Sequence, residues 1–346
     1  MELKIGISGI NAVDNPGPGI GVAKSIKEDP EITSKIIGLS YDAMEPGNYM
    51  NWIIDKSFIL PYPSSEHQAY LDRLYYIKDT YGLDFVMPVL DAELPLYLKY
   101  QKELEKKGIK TFLPTLEQFN LRSKDKLEEV AKNIGIETPK SETVSSYDDL
   151  VKGIDKLGLP VMVKGVFYKA YRAYTLQEAI SYFNKIVAEW GYPVILQQVV
   201  SGEEMNVVAG GDGEGNSLGM IAIKKMWITE LGKIWTGITI KNEELLKAAQ
   251  KFIEVYGWKG AFELECIVDL KNNKIYLIEI NPRFPAWSYF STGVGVNIAS
   301  NIVRKAFDLP VKDYKDYPAG RLYIRYTDDF VVGIETFQKL ITLGEN

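Results

Sequence analysis

The chain has 346 residues, 46% of them hydrophobic, with 40 basic and 46 acidic side chains and a net charge of −6. This charge balance gives no general attraction to nucleic acid or anionic lipid, so neither is expected as a partner. One cysteine excludes intramolecular disulfides and thiolate zinc sites, and one histidine leaves no histidine pair for catalysis. The sequence has no signal-peptide pattern and no apolar run of about 18 residues, so we expect a cytoplasmic protein.

The first 112 residues alternate predicted strands and helices. A buried strand, LKIGIS, precedes a glycine-rich loop and a helix from Ile20 to Glu28. Further helices are predicted from Glu66 to Tyr81 and from Glu93 to Lys107. This alternation is typical of a parallel sheet wound with helices. The glycines of the loop lack the spacing and position of a dinucleotide-binding fingerprint, which argues against NAD.

Two acids, Asp91 and Glu93, follow the predicted strand DFVMPV. Open α/β sheets bind ligands at the carboxyl ends of their strands, which would give these acids a place in a site. The same two residues also fit the N-terminal cap and first turn of a helix. Both alternatives stay open from the sequence alone.

The pattern changes to short helices after Thr115 and then to a mixed α+β segment. Ser123 is predicted to cap the helix SKDKLEEVAKNIG, with Lys124 and Lys126 in its first turn. Cations at a helix start oppose the helix dipole and therefore need another reason to be there. A second helix is predicted after the cap residue Ser146, followed by the strand LPVMVK, which ends in Lys164.

The stretch GAFELECIVDLKNNKIYLIEINPRF predicts a β-hairpin around the turn LKNN, with strands Ala261–Asp269 and Lys274–Ile280. The strands are otherwise rich in apolar residues. Because side chains alternate along a strand, Glu263 and Glu265 share one face of the first strand. By the same argument Glu279 and Asn281 share one face at the end of the second strand.

These polar residues predict a metal site. Ionised groups among apolar residues are costly unless they are paired or bind metal. Glu279 and Asn281 end the second strand, and Arg283 follows directly. Oxygen ligands beside a guanidinium suit Mg2+ bound to a polyphosphate, since Mg2+ takes one or two carboxylates plus phosphate oxygens. A half-buried hairpin with a solvated polar face is the alternative.

The motifs ELECIVD and YLIEINPR resemble the metal-binding hairpin of the ATP-grasp superfamily. The resemblance implies that Glu265, Glu279 and Asn281 bind metal on ATP and that Arg283 contacts phosphate or an acyl phosphate. Glu263 is the alternative to Glu265, which is preferred because it leaves the shorter insertion in the turn. The implied cofactors are ATP and Mg2+, or Mn2+ in its place.

The same resemblance implies the nucleotide contacts. Lys126 and Lys164 would reach the phosphates, with Lys164 also acting in catalysis. Residues around the strand VILQQ would hold adenine and ribose: Gln197, Gln198, Val200 and Glu204. Lys225 is placed either to approach the phosphates or to lie at the surface. The family's glycine-rich phosphate loop is replaced by GVFYKAYRAYT, in which Lys169 and Arg172 would substitute as cations.

The implied fold is α/β, with a preATP-grasp α/β domain followed by an ATP-grasp fold of two α+β subdomains. The expected divisions are a first domain in 1–112, linking helices in 113–135, a lid in 136–197 and a catalytic subdomain in 198–346. A final strand, GRLYIRYTDDF, would present two arginines on one face to a substrate carboxylate or acyl phosphate; they are Arg321 and Arg325.

The implied activity is an ATP-dependent carboxylate–amine or carboxylate–thiol ligase that works through an acyl phosphate. Its partners would be a small-molecule or peptide carboxylate, an amine nucleophile and a second copy of the chain in a homodimer. Two alternatives remain: a carboxylase or carbamoyl-phosphate type of reaction, and a nucleotide-binding protein without catalysis.

Overall fold

The computed structural model describes residues 2–12, 15–166, 169–229 and 232–346. Its strands are β1 Leu3–Ile7, β2 Ser34–Ser40, β3 Lys56–Ile59, β4 Phe85–Met87, β5 Lys110–Thr111, β6 Ser141–Val144, β7 Val161–Gly165, β8 Ala170–Ala173, β9 Val194–Gln198, β10 Glu203–Asp212, β11 Ser217–Ile228, β12 Ile234–Ile240, β13 Lys259–Asp269, β14 Lys274–Asn281 and β15 Leu322–Ile324. Its helices are α1 Pro18–Lys27, α2 His67–Tyr81, α3 Leu94–Lys106, α4 Leu116–Phe119, α5 Leu127–Ile134, α6 Tyr147–Leu157, α7 Leu176–Trp190, α8 Glu243–Tyr256, α9 Tyr289–Gly293, α10 Ile298–Ala306 and α11 Ile334–Leu343.

The chain divides into two compact units. One comprises residues 1–122, 205–265 and 280–346, and the other comprises residues 123–204 and 266–279. Each unit has an apolar core of its own. The hairpin of β13 and β14 is therefore shared, since its tip belongs to the second unit and its base to the first.

A parallel five-stranded sheet opens the first unit. Its order is β3-β2-β1-β4-β5, and all neighbouring strands run parallel. β1 is buried along most of its length because its sequence, LKIGI, is mainly apolar. The predicted α/β class is confirmed, and helices α1, α2 and α3 lie within two residues of their predicted bounds.

A second sheet of the chain has the order β14-β13-β10-β11-β12-β15. The pairs β10–β11, β11–β12 and β12–β15 are antiparallel. In the first unit, apolar side chains of β10, β11 and β12 join those of β1, β4, α1 and α10 in one core. Ala261 of β13 also belongs to this core, and Phe262 and Leu264 are fully buried in the base of the hairpin.

The second unit holds a four-stranded sheet of order β6-β9-β7-β8. α6 and α7 pack on it through a core that includes Leu150, Phe183 and Leu196. The hairpin tip joins this unit through backbone hydrogen bonds, from Glu137 N to Ile275 O at 2.9 Å and from Leu277 N to Glu137 O at 2.8 Å.

Helix capping follows the sequence prediction at Ser146 and departs from it at Ser123. The Ser146 side chain caps α6, as predicted, and the Asn242 side chain caps α8. Ser123 does not cap a helix: α5 begins at Leu127, and Lys126 occupies its N-cap position. The lysines therefore precede the helix, and the first turn carries the acids Glu128 and Glu129, which the helix dipole favours.

Among the described residues, none of the helices is both long and apolar enough to cross a membrane.

A buried ion pair links two segments of the first unit that are distant in sequence. Arg304 of α10 donates to both carboxylate oxygens of Asp29, at 2.8–3.1 Å, and the two side chains are 5% and 1% exposed. Burial alone would raise the pKa of Asp29, but hydrogen bonds from Arg304, from the Glu31 backbone and from Lys312 lower it. The pair therefore favours folding at neutral pH.

We predict that Arg304→Gln lowers the free energy of unfolding by about 3–5 kcal/mol at pH 7, because it leaves a buried carboxylate without its main partner. Because the pKa of Asp29 is lowered on folding, this stabilisation is lost as the pH falls below about 4. Urea denaturation at pH 7 and pH 3 measures both effects. Asp316→Asn, which breaks an exposed pair with Lys241, is the matched control and should change little; equal losses from both variants would contradict the assignment.

Candidate active site

The base of the hairpin holds a fully buried carboxylate, Glu263. It accepts hydrogen bonds from Asn206 Nδ2 at 2.8 Å, Trp287 Nε1 at 2.8 Å and Asn281 Nδ2 at 3.0 Å. Desolvation and the nearby charge of Glu265 raise the pKa of Glu263 to about 7. Three neutral donors thus occupy the oxygens of Glu263, which makes it a poor candidate for a metal ligand.

Glu265 lies on the same face, two residues along β13, and is more accessible. Its Oε1 accepts from Asn281 Nδ2 at 2.9 Å, and its Oε2 contacts the Lys225 ammonium at 3.1 Å. The Lys225 side chain is only 6% exposed, against 23% for Glu265. The Glu265 carboxylate therefore lies where a cation is favoured.

Asn281 connects these carboxylates to Arg283. Its Nδ2 faces Glu263 and Glu265, and its Oδ1 accepts from Arg283 Nη2 at 3.3 Å. Because carboxylates accept and do not donate, the amide nitrogen must face them and the amide oxygen must point away. These contacts therefore fix the orientation of Asn281 Oδ1, the oxygen that could bind metal.

The Arg283 guanidinium is held by an acid from the first sheet. Asp91 Oδ2 accepts from Arg283 Nε at 2.6 Å, and Asp91 Oδ1 accepts from Arg122 Nη1 at 2.8 Å. Asp91 thus pairs with two arginines and caps no helix. This geometry agrees with the alternative that placed it in a site at the carboxyl end of a strand.

Glu93 has a structural role instead. It is fully buried and accepts from the backbone N of Val89 at 2.9 Å and of Leu90 at 3.0 Å, as well as from the hydroxyls of Ser8 and Tyr41. It stands at the N-cap position of α3, but its side chain does not cap the helix. Desolvation raises the pKa of Glu93.

The second unit brings two lysines close to its sheet. Lys164 Nζ donates to Gln197 Oε1 at 2.6 Å, and Gln197 Nε2 donates to Ser141 Oγ at 3.2 Å. Lys124 Nζ donates to the carbonyl oxygen of Gly165 at 2.5 Å. Desolvation and the charge of Lys164 lower the pKa of Lys124 to about 8. Two mutually repelling ammonium groups predict an anionic ligand.

The other predicted residues lie as follows. Gln198 ends β9 and donates its backbone N–H to Lys140 O at 2.8 Å, and Val200 follows in a half-buried loop. Glu204 is half-buried in β10, and Glu279 is exposed in β14. Lys126 stands at the start of α5, two residues beyond Lys124. The assignment of these residues to nucleotide or metal stays a prediction.

Two of the three predicted metal ligands, Glu265 and Asn281, lie within hydrogen-bond distance of each other. Among the described residues, no three His, Cys, Asp or Glu side chains converge to hold a metal ion. The predicted set has two carboxylates and one amide, which suits Mg2+ because that ion completes its shell with water and phosphate oxygens. In the loop GVFYKAYRAYT, which replaces the glycine-rich phosphate loop of the family, residues 167 and 168 lie outside the described part of the chain.

Sequence reasoning missed several residues that shape this site. Asn206 and Trp287 hold Glu263, Arg122 shares Asp91, and Lys124 approaches the lid strand. Because Glu263 and Glu265 share a face of an apolar strand, the sequence indicates that a buried acid there needs hydrogen-bond donors. It does not identify those donors, because they come from segments that are far apart in sequence.

Residues 122–286 match the family model of the ATP-grasp domain. Among solved structures, a biotin carboxylase complex from Campylobacter jejuni matches with TM-score 0.70 and 18% identity, over 93% of this chain and 74% of the other. An L-amino acid ligase from Bacillus licheniformis matches with TM-score 0.64 and 19% identity, over 88% and 73%.

A third similar structure is the biotin carboxylase domain of the Hydrogenobacter thermophilus 2-oxoglutarate carboxylase, in complex with MgADP, ADP and bicarbonate. Its TM-score is 0.68 and its identity 18%, over 93% of this chain and 73% of the other. At these identities the likeness establishes the fold, and it confirms the α/β architecture predicted from the sequence.

We predict an unusual pH dependence of stability from Glu263. Its pKa is raised on folding, so its contribution to stability is full below about pH 4.5 and is lost as the pH rises toward 7. The loss in metal-free protein should be on the order of 2–3 kcal/mol. Glu263→Gln should remove this pH-dependent loss of stability, as measured by urea denaturation in the presence of chelator between pH 5 and 8.

The control variant is Glu105→Gln, which changes an exposed glutamate of α3. It should keep the wild-type pH profile. If Glu263→Gln also keeps that profile, Glu263 is ionised in the folded protein and the raised pKa is wrong.

Proposed function

Because residues 122–286 match the family model of the ATP-grasp domain, we propose that the protein is an ATP-dependent carboxylate–amine or carboxylate–thiol ligase working through an acyl phosphate. The observation that carries the proposal is the arrangement of Glu265, Asn281 and Arg283. An accessible carboxylate within β13 and an oriented amide oxygen at the end of β14 lie beside a guanidinium that follows β14. These groups suit a divalent cation and a phosphate together.

The metal ligands would be Glu265, Glu279 and Asn281. Bound Mg2+ would neutralise charge on the phosphates of ATP during transfer. In the free protein the Lys225 ammonium already pairs with the Glu265 carboxylate. When a divalent cation binds there, the Lys225 ammonium becomes available to an anionic phosphate oxygen, which supports its predicted nucleotide contact.

The cations of the second unit would neutralise the triphosphate. Attack by a carboxylate on the γ-phosphorus brings two anions together, and the repulsion is on the order of several kcal/mol at 4 Å if the effective dielectric constant is about 20. Lys164 and Lys124 offset this repulsion by binding phosphate oxygens. Lys124 donates to the neutral carbonyl oxygen of Gly165, which a phosphate oxygen would replace.

The reaction needs no protein nucleophile. A carboxylate oxygen forms a bond to the γ-phosphorus as the bond to ADP breaks. The amine then attacks the acyl carbon, phosphate leaves with the bonding electrons, and the amine loses a proton. Arg283 would hold the phosphate oxygens in both steps. Gln197, Gln198, Val200 and Glu204 are proposed to bind the adenosine part, and Lys126 remains an alternative to Lys124.

Bicarbonate is a second candidate for the carboxylate. The observation that favours it is the likeness to two biotin carboxylase structures, one of them bound to bicarbonate. ADP release that requires bicarbonate would select this reaction. A cytoplasmic location, the use of Mn2+ and a homodimer stay predictions.

We predict that Glu265→Gln and Glu279→Gln each lower ADP release by about 100-fold or more, because each removes a charged ligand that neutralises the triphosphate. The assay supplies ATP, Mg2+ and pools of carboxylates and amines. Glu137→Gln, which alters an exposed ion pair with Lys274, is the control and should keep wild-type activity. ADP release that survives in both test variants would disprove the metal assignment.

We also predict that ATP binding weakens as the pH rises from 7 to 9. Lys124 is protonated below about pH 8 and loses its charge above it, so its attraction to phosphate is present at pH 7 and fades toward pH 9. Calorimetry should show roughly a fivefold change in Kd in the wild type, and little change in Lys124→Met.

Lys126→Met is the matched variant two residues away. It should keep the pH dependence of the wild type if Lys124 is the phosphate lysine. If Lys126→Met loses the pH dependence and Lys124→Met retains it, then Lys126, which the family resemblance implied, is the lysine that contacts phosphate.

A further inference from the structure

Two guanidinium groups of the first unit share one carboxylate, that of Asp91. Arg122 Nη1 donates to Asp91 Oδ1 at 2.8 Å, and Arg283 Nε donates to Asp91 Oδ2 at 2.6 Å. All three side chains reach solvent, with exposed fractions of 34% for Arg122, 29% for Asp91 and 20% for Arg283. Among the described residues, Asp91 is the only acid that pairs with Arg122. One negative charge therefore serves two cations.

The two arginines differ in how many of their N–H groups are engaged. Besides its bond to Asp91, Arg283 donates from Nη1 to Phe284 O at 3.2 Å and from Nη2 to Asn281 Oδ1 at 3.3 Å. Within the described part of the chain, Arg122 donates only from Nη1. Its Nε and Nη2 form one edge of the guanidinium, and such an edge can donate two parallel hydrogen bonds to an anion. This edge stays open to a ligand.

The segment that carries Arg122 is anchored to the first unit. Gln118 of α4 donates from Nε2 to the carbonyl oxygens of Tyr256 at 2.9 Å and Gly257 at 2.7 Å, at the end of α8. The Arg122 guanidinium lies 4.2 Å from the ring centroid of Phe119, which is buried. A carboxylate and an aromatic face thus hold the guanidinium in place before any ligand binds.

Two neighbouring arginines suit a phosphate group better than a carboxylate. A carboxylate carries a single charge and two oxygens, so the edge of one guanidinium satisfies it. A terminal phosphate group has three acceptor oxygens and close to two negative charges. The proposed contact of Arg283 with phosphate therefore leaves oxygens that a second arginine can bind.

We propose that Arg122 is a second phosphate-binding residue, which Asp91 holds beside Arg283. Its Nε and Nη2 would donate to the phosphoryl group that passes from ATP to the substrate carboxylate. In that step the bond from the γ-phosphorus to ADP breaks as the bond to the carboxylate oxygen forms, and the arginines exchange no proton. Arg122 contributes charge and hydrogen bonds alone. This inference rests on the proposed ligase function and adds a residue to its site.

Calorimetry with three probes tests the role of Arg122. The probes are Mg2+ with β,γ-methylene-ATP, Mg2+ with ADP, and inorganic phosphate added to protein that is saturated with MgADP. Arg122→Gln should weaken the ATP analogue and inorganic phosphate by about tenfold, because two charge-assisted hydrogen bonds are lost. The Kd for MgADP should stay within about twofold of the wild-type value, because ADP lacks the transferred group.

Two further variants calibrate this result. Arg122→Lys keeps the charge without the planar fork, so its Kd for the ATP analogue should lie between those of the wild type and Arg122→Gln. Lys102→Gln removes an exposed cation of α3 and is the charge-matched control, which should leave all three Kd values unchanged.

Two outcomes would overturn the proposal. If Arg122→Gln weakens MgADP and the ATP analogue equally, Arg122 serves only to hold the fold. If acetate binds the MgADP-saturated protein as tightly as inorganic phosphate and also requires Arg122, the open edge binds the carboxylate and the assignment to phosphate is wrong.

Failure of this proposal can be told from failure of the proposed function. A protein that shows the selective loss in Arg122→Gln but releases no ADP with any carboxylate and amine refutes the ligase and leaves the phosphate contact intact. A protein that binds both nucleotides, with unchanged Kd values in Arg122→Gln, refutes the role of Arg122 alone. A protein that binds neither nucleotide refutes both.

Discussion

The Asn281 amide, held between two carboxylates, is the interaction on which the hairpin site depends. Its nitrogen donates to Glu263 at 3.0 Å and to Glu265 at 2.9 Å. One amide thereby joins β13 to the end of β14 and orients its own oxygen toward Arg283. Glu263 can be buried only because Asn206 and Trp287 donate to it as well. Glu265 is more accessible, and its Oε2 contacts a cation, the Lys225 ammonium.

The cations of the hairpin base are held by carboxylates of the first unit. Arg283 is paired with Asp91, and Lys225 is paired with Glu265. Charge-assisted hydrogen bonds to a carboxylate are about twice as strong as neutral ones. These pairs therefore hold the geometry of the first unit's groups without a ligand.

The sequence predicted what depends on local periodicity and residue type. The hairpin, the turn at 270–273 and the bounds of α1, α2 and α3 follow from patterns within a few residues of each other. The capping role of Ser123 was wrong because a serine followed by lysines resembles a cap, while the acids Glu128 and Glu129 set the true start. Predicted contacts with nucleotide and metal remain predictions, since each needs groups from several segments.

Burial of charge shows where the fold is complete. Among the described residues, the buried acids Asp29, Glu93 and Glu263 each accept hydrogen bonds from several donors, and Arg304 pairs with Asp29. The donors come from segments that are far apart in sequence, since Arg304 of α10 pairs with Asp29, and Asn206 of β10 and Trp287 both donate to Glu263. Each buried acid therefore fixes the packing of two distant segments, because an acid left without its donors would be costly to bury.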